Sequence, residues 1–229
     1  MNKSIILLSG GLDSLVSLGL AQKEYNVKLA LTFDYGQKSA QDEIEASARI
    51  SKYYGLKHEV ITLEWLKNIT TTSLVSDKDV PAGELLDNPE QSAKLVWVPN
   101  RNGLFLNIAG CYADAEGFTH ILIGANKEEG ETFPDNTQEF IERVNSEFEY
   151  STQNHPKVLA PLINSDKNDI VRLALEHGIP LEYVKSCYKG GEKHCGECES
   201  CTRLKKALIH NGDTVSYTHL RAHETPEHL

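Results

Sequence analysis

Four of the five cysteines crowd near the carboxyl end as Cys187-x7-Cys195-x2-Cys198-x2-Cys201. Thiolates at that spacing are metal ligands. Tetrahedral zinc takes four sulfurs at about 2.3 Å, and Gly190, Gly191 and Gly196 would let the backbone wrap the ion. Four thiolates leave no open coordination position, so the expected ion is one structural Zn2+ per chain. An iron–sulfur cluster is the alternative that Cys-x2-Cys-x2-Cys leaves open. Lys189, Lys193, Arg203, Lys205 and Lys206 stand near enough in sequence to offset the thiolate charge. The fifth cysteine, Cys111, falls in an apolar helical stretch and is expected in the core.

The second constellation is Ser9-Gly10-Gly11-Leu12-Asp13-Ser14, between an apolar run and a helical one. Two glycines let backbone amides point into one cavity, the helix start adds partial positive charge, and Ser9 and Ser14 can donate to the same anion. This is the composition of a phosphate cradle. It lacks the lysine of a Walker A loop and the Gly-x-Gly-x-x-Gly spacing of a dinucleotide fingerprint. An ordinary strand-to-helix turn is the plainer alternative. Asp34-Tyr35-Gly36-Gln37 follows a second apolar run, where a carboxylate can read a nucleotide or a ligand amine, or can simply cap a solvated turn.

The elements that must position these groups alternate. Strands are expected at 5–8, 27–33, 58–63 and 119–124, and helices at 14–24, 39–54, 104–115 and 166–177. The last helix carries Ser165 as a start signal, Gly178 as a stop and Ile170, Leu173, Ala174 and His177 on one face. Near-continuous apolar strands separated by helices give an α/β fold, a parallel sheet with helices on both faces. Ligands sit at the carboxyl ends of such strands, which here means Ser9–Ser14, Asp34–Gln37 and the chain from Gly124 onward. The polar stretch from Thr70 to Pro99 reads as a long active-site loop or lid, or else as an unstructured insertion.

Composition narrows the class. A chain of 229 residues with 40% hydrophobic and 24% charged content builds one generous domain, or one domain with a small appendage. A net charge of −10 argues against sequence-independent binding to nucleic acid or to an anionic membrane. The opening Met1-Asn2-Lys3 leads straight into a strand and lacks the pattern of a signal peptide, and no apolar run is long enough to span a bilayer. An odd cysteine count without an export signal argues against a disulfide framework. These features favour a cytoplasmic enzyme or small-molecule binder.

The hexapeptide resembles the signature loop of the ATP pyrophosphatase superfamily, the PP-loop proteins with an adenine nucleotide alpha hydrolase-like fold. Five features in order resemble one family within it, the 7-cyano-7-deazaguanine synthases of queuosine and archaeosine precursor synthesis. They are the Ser9–Ser14 loop, Phe33-Asp34-Tyr35-Gly36-Gln37, Val98-Pro99-Asn100-Arg101-Asn102, Phe133-Pro134-Asp135, and the four-cysteine segment ending Cys201-x-Arg203. The resemblance runs from about Lys3 to Asn211. It implies a ligase that uses ATP with Mg2+ and ammonia on 7-carboxy-7-deazaguanine, through adenylated intermediates.

Carried onto this chain, the ATP window is Leu8, Ser9, Gly10, Gly11, Leu12, Asp13, Ser14, Leu15, Val16, Ser17 and Leu18. Asp13 would help hold magnesium, and Asp13, Ser14 and Arg101 would be catalytic. Asp34, Gln37, Arg101, Asn102, Phe133 and Asp135 would bind substrate, with Asp135 accepting two hydrogen bonds from a guanine-like edge. For Arg101 a surface ion pair, and for Asp135 a helix cap before a helix at 137–148, are the plain structural alternatives. Many members carry cysteine where this chain has Asn136. The resemblance also implies a homodimer and small-molecule substrates only. A tRNA thiolase or another adenylating amidotransferase is the alternative within the superfamily, and a zinc-ribbon interaction module is the one outside enzymes.

The expected organisation is an ATP-binding synthase domain at 1–184, a zinc segment at 185–212 and a tail at 213–229. The run from Val215 to Thr225 resembles an in-frame translation of a sequencing-library adapter. Its His219, His223 and His228 have no glycine turn or carboxylate partner beside them, so the tail is expected to be non-native and without a role.

Overall fold

The structure, a computed structural model, describes residues 3–82, 89–191 and 193–213, and the tail from Val215 lies outside them. Five parallel strands form the sheet: β1 (Ser4–Leu7), β2 (Val27–Asp34), β3 (Lys57–Thr62), β4 (His120–Leu122) and β5 (Lys157–Leu159), in the order β3-β2-β1-β4-β5. The chain adds β2 and β3 on one side of β1 and β4 and β5 on the other, and this switch in strand order opens a crevice at the carboxyl ends of β1 and β4.

The period of two along a strand explains the apolar runs. Ile5, Leu7, Leu29, Leu31, Phe33 and Ile121 face one core, filled by α5 (Arg101–Glu116) and α7 (Gln138–Ser151). Ile6, Leu8, Ala30 and Leu122 face the other, filled by α1 (Leu12–Tyr25), α2 (Ala40–Tyr54), α8 (Lys167–Glu176) and α9 (Glu199–His210). Each fully buried leucine or isoleucine here contributes about 1.5–3 kcal/mol by leaving water.

Local reading of the chain is corrected at several points. Asp166, not Ser165, caps α8: its carboxylate accepts from Asp169 N at 2.9 Å, and Asp169 answers to Asp166 N, closing a capping box. The buried face of α8 is Ile170, Val171 and Ala174, while His177 is exposed beyond the last turn. Cys111 is exposed, because α5 packs through Asn102, Leu106, Ala109, Gly110 and Ala113, and Cys111 lies off that face. The helix after Phe133 starts at Gln138, with Thr137 Oγ1 accepting from Phe140 N at 3.2 Å, so Asp135 is not its cap.

The stretch from Thr70 to Pro99 is not a loose insertion where it is described. Leu74, Val75 and Val80 are buried in the core, Ala82 pairs with Cys198, and α4 (Pro89–Val96) follows. Two further short helices, α3 (Glu64–Ile69) and α6 (Lys127–Thr132), complete the described chain with two turns of 3-10 helix.

Candidate active site and four-cysteine centre

At the end of β1 the chain must turn sharply beneath α2. Gly10 adopts φ +74°, and a Cβ there would stand 2.7 Å from Ala46 Cβ, so glycine alone lets α2 pack close. Gly11 has ordinary extended angles, and a Cβ there would face Ser9 Oγ at 3.4 Å and Ser186 Oγ at 3.7 Å, on the cavity side. The Ser9 and Ser14 hydroxyls are 3.2 Å apart, and Gly11 N donates to Ser9 Oγ. From the other side of the crevice Gly124 closes in: a Cβ on it would lie 2.9 Å from Ser14 N. The result is a ring of small donors at the start of α1, open to a cavity of about 260 Å³. Leu8, Ser9, Gly11, Leu12, Asp13 and Ser14 line it, whereas Leu15, Val16, Ser17 and Leu18 are buried in the core behind.

Behind the loop lies a cluster of charges. Asp13 Oδ2 accepts from Lys167 Nζ at 2.6 Å, and Asp13 Oδ1 is buried with no partner. Burial alone would lower the Lys167 ammonium, but Asp13 and Glu129 hold it above its usual range. Arg203 bonds Glu129 at 3.0 Å and Glu199 at 2.7 Å. Its guanidinium therefore serves this cluster rather than the thiolates. Burial pushes the Glu129 carboxyl up against the pull of Lys167 and Arg203.

A smaller cavity of about 60 Å³ adjoins the first. Two of its lining rings stack: Trp97 and Phe133 lie 13° from parallel with centroids 5.9 Å apart. Asp135 stands in this cavity, raised by burial although Arg101 draws it down. Arg101, at the first turn of α5, approaches Tyr35 OH at 3.5 Å; the Tyr35 oxygen and the Asp135 carboxylate hold its guanidinium above its usual range despite burial. It faces the cavities rather than forming a surface ion pair. Asn102 donates to the Asp135 carbonyl at 3.2 Å and so fixes the Phe133–Asn136 turn. Arg101, Glu129, Leu74 and Tyr188 line both cavities.

The remaining sequence-derived residues fall differently. Gln37 lines the large cavity, but its amide bonds Tyr35 N, Phe33 O and Glu43 Oε2. Asp34 accepts from Gly36 N at 3.0 Å and closes the turn without lining either cavity. Glu43, Glu129, Lys167, Lys185, Ser186 and Tyr188 line the large cavity and carried no local signal, because each reaches the loop from another element.

The four cysteine sulfurs lie within 4.8 Å of one another, with Cys195 and Cys201 at 3.9 Å. A tetrahedron with 2.3 Å bonds has edges of about 3.8 Å, so the set fits one ion. Cys195 N donates to Cys187 Sγ and Cys198 N to Cys195 Sγ, as backbone amides do around metal-bound thiolates. His194 backs the cluster, with Nδ1 at 3.7 Å from Cys201 Sγ and Nε2 bonded to Val184 O. The Cys187 thiol drops far below its usual range because Cys198 and Cys201 donate to it, while Cys198 is pushed up to about 11. A bound cation would resolve that uneven sharing. The same segment reaches the Ser9–Ser14 loop: Lys185 N donates to Gly10 O at 2.7 Å, and Leu12 N to Ser186 Oγ at 3.4 Å.

Comparison with known proteins agrees with this geometry. The family described as queuosine biosynthesis protein QueC matches residues 3–212. A 7-cyano-7-deazaguanine synthase of Carboxydothermus hydrogenoformans is 50% identical over 211 residues, covering 90% of this chain and 98% of the relative. Its counterpart in Methanosarcina barkeri is 48% identical over 219 residues, covering 92% and 95%, and that of Bdellovibrio bacteriovorus is 48% identical over 213 residues, covering 90% and 92%. With the Ser9–Ser14 loop, the two adjoining cavities and the four cysteines all inside the matched span, this chain belongs to the QueC family.

Proposed function

We propose that this chain is a 7-cyano-7-deazaguanine synthase, a carbon–nitrogen ligase that converts 7-carboxy-7-deazaguanine and ammonia to the nitrile with ATP. A carboxylate oxygen leaves poorly until it joins a phosphate ester. The acid therefore attacks the α-phosphorus of ATP, pyrophosphate leaves, and ammonia displaces AMP to give the amide. A second adenylation, on the amide oxygen, permits loss of AMP to the nitrile. Such chemistry needs fixed donors for the phosphates, in-line placement and exclusion of water.

The observation that carries the reading is the shared wall between the loop-bound cavity and the small aromatic one. ATP phosphates would take the donors of Ser9, Gly11, Ser14 and the α1 start. The orphan Asp13 Oδ1 fits a Mg2+ that arrives with them, since that ion keeps few protein ligands. The deazapurine would lie along Trp97 and Phe133 with its amidine edge on Asp135, which aims its carboxylate past Arg101 at the α-phosphate. In the four-cysteine site we place one Zn2+; the single-ion spacing supports it, because thiolates on separate irons of a cluster would stand further apart. The ion has no open position and supplies rigidity alone. The substrates are small molecules, and the family resemblance supports a homodimer.

Pyrophosphate release that requires both the deazapurine acid and ATP, with nitrile forming once ammonium is added, is the expected result. Release that requires tRNA instead would make the chain a thiolase of the same fold.

A further inference from the structure

The nitrogen enters as ammonia with three N–H bonds and finishes in the nitrile with none. In amide formation the N–C bond forms, the C–O bond to AMP breaks with its electron pair, and one N–H proton departs. After the second adenylation the C–O bond breaks again, AMP takes the pair, and two more protons leave as the triple bond forms. Both steps need water kept from the adenylate, so a protein group is better placed than bulk solvent to receive a proton at the reacting nitrogen.

We propose that Glu129 is the general base that accepts one proton in each step and gives it up to solvent when AMP leaves and the site opens, the second proton of the nitrile-forming step departing on the AMP phosphate. The inference rests on the synthase reading above. If the nucleotide fills the larger cavity and the deazapurine the smaller, the reacting carbon lies at their junction. Among the described residues, those lining both cavities are Leu74, Arg101, Glu129 and Tyr188. Leucine takes no proton, the guanidinium is already charged, and burial holds the Tyr188 phenol protonated. Glu129 is the one acceptor of the four.

None of the other described carboxylates at the cavities reaches their junction: Asp13 and Glu43 line only the large one and Asp135 only the small one. Asp13 holds Lys167, and Glu43 accepts from Ser39 Oγ at 2.6 Å and Gln37 Nε2 at 3.0 Å. Glu129 is positioned from both ends. Its amide donates to Asn126 Oδ1 at 3.1 Å at the start of α6, and its Oε1 accepts from Arg203 at 3.0 Å. Lys167 of α8 and Arg203 of α9 pull its carboxyl down; burial, Asp13 of α1 and Glu199 of α9 push it up, and the upward push prevails. A carboxylate so poised is a stronger base than a solvated one.

The test is Glu129→Gln, which keeps an oxygen for Arg203. Wild type must first make nitrile; if it does not, the synthase reading and this inference fall together. With wild type active, the variant should retain acid-dependent pyrophosphate release within about tenfold, while amide and nitrile formation drop about 10²–10⁴-fold. Hydroxylamine, a stronger nucleophile whose protonated adduct is more acidic than that of ammonia and so depends less on a base, should trap the acyl-adenylate as hydroxamate with a far smaller loss than the amide shows. Nitrile formation at wild-type rate in the variant would overturn the proposal. So would equal losses of pyrophosphate release, hydroxamate and nitrile, which would make Glu129 a positioning residue for ATP. Should the glutamine variant fail to fold, Glu129→Asp must show the same split between nitrile and hydroxamate, and its absence counts equally against the proposal.

Discussion

The two neighbouring glycines of the Ser9–Ser14 loop do different work, and substitution should separate them. Gly10 is required by the fold: alanine there meets both a positive φ and Ala46, at a cost of about 2–4 kcal/mol. Gly11 is required by the proposed ATP site. Its extended angles accept valine, whose side chain would project toward Ser9 Oγ and Ser186 Oγ, where phosphate would approach in that site. Gly10→Ala should lower the melting temperature by on the order of 10 °C. Gly11→Val should melt within a few degrees of wild type and bind no ATP by calorimetry. The same melting loss in both would remove the distinction. At this scale the loop was readable because all its parts are consecutive. Lys167, Glu129 and Ser186 were not, since a short-range pattern carries no information about side chains that arrive from α8, α6 or the cysteine segment.

Elements couple to the site through buried hydrogen bonds. Thr32 Oγ1 on β2 donates to the Leu8 carbonyl at 2.7 Å, which uses its one hydrogen, so His58 Nε2 on β3 must donate to it at 2.8 Å. Burial lowers the His58 pKa below 6.5. Its neutral ring contributes stability in full above that value, and the contribution is lost as pH falls through the lower folded one. The melting-temperature gap between wild type and His58→Asn should therefore narrow between about pH 7.5 and about pH 5; a constant or widening gap would contradict the assignment. The cysteine segment makes a second coupling, since it supplies Lys185, Ser186, Tyr188 and Arg203 to the large cavity, where we place the nucleotide. Cys198→Ser should lower zinc content, melting temperature and ATP affinity together. Unchanged ATP affinity in a zinc-depleted protein would make the segment an independent appendage. Helices with strong punctuation were legible in sequence, while β5 and α4 were not. β5 has three residues on the sheet edge, and α4 is only eight residues long, inside a polar stretch broken by Pro81, Gly83 and Pro89.

For the whole molecule, alternation of apolar strands and helices was enough to give a parallel sheet with its site at the strand ends. It could not give the strand order, which depends on which crossovers pass over which face. The switch in strand order between β1 and β4 brings Gly124 against Ser14 and thereby creates the crevice. The proposed boundary of the working enzyme lies near Gly212. Deleting 215–229 should leave zinc content, melting temperature and nitrile formation unchanged, and loss of any one would show that the tail belongs to the enzyme. The central claim is that one cavity adenylates the same carbon's oxygens twice. The most direct measurement uses 7-carboxy-7-deazaguanine labelled with oxygen-18 in both carboxylate oxygens and follows the label into AMP by mass spectrometry. Two AMP molecules per nitrile, each carrying one labelled oxygen, is the predicted result. Unlabelled AMP, or a single labelled AMP per nitrile, would contradict it.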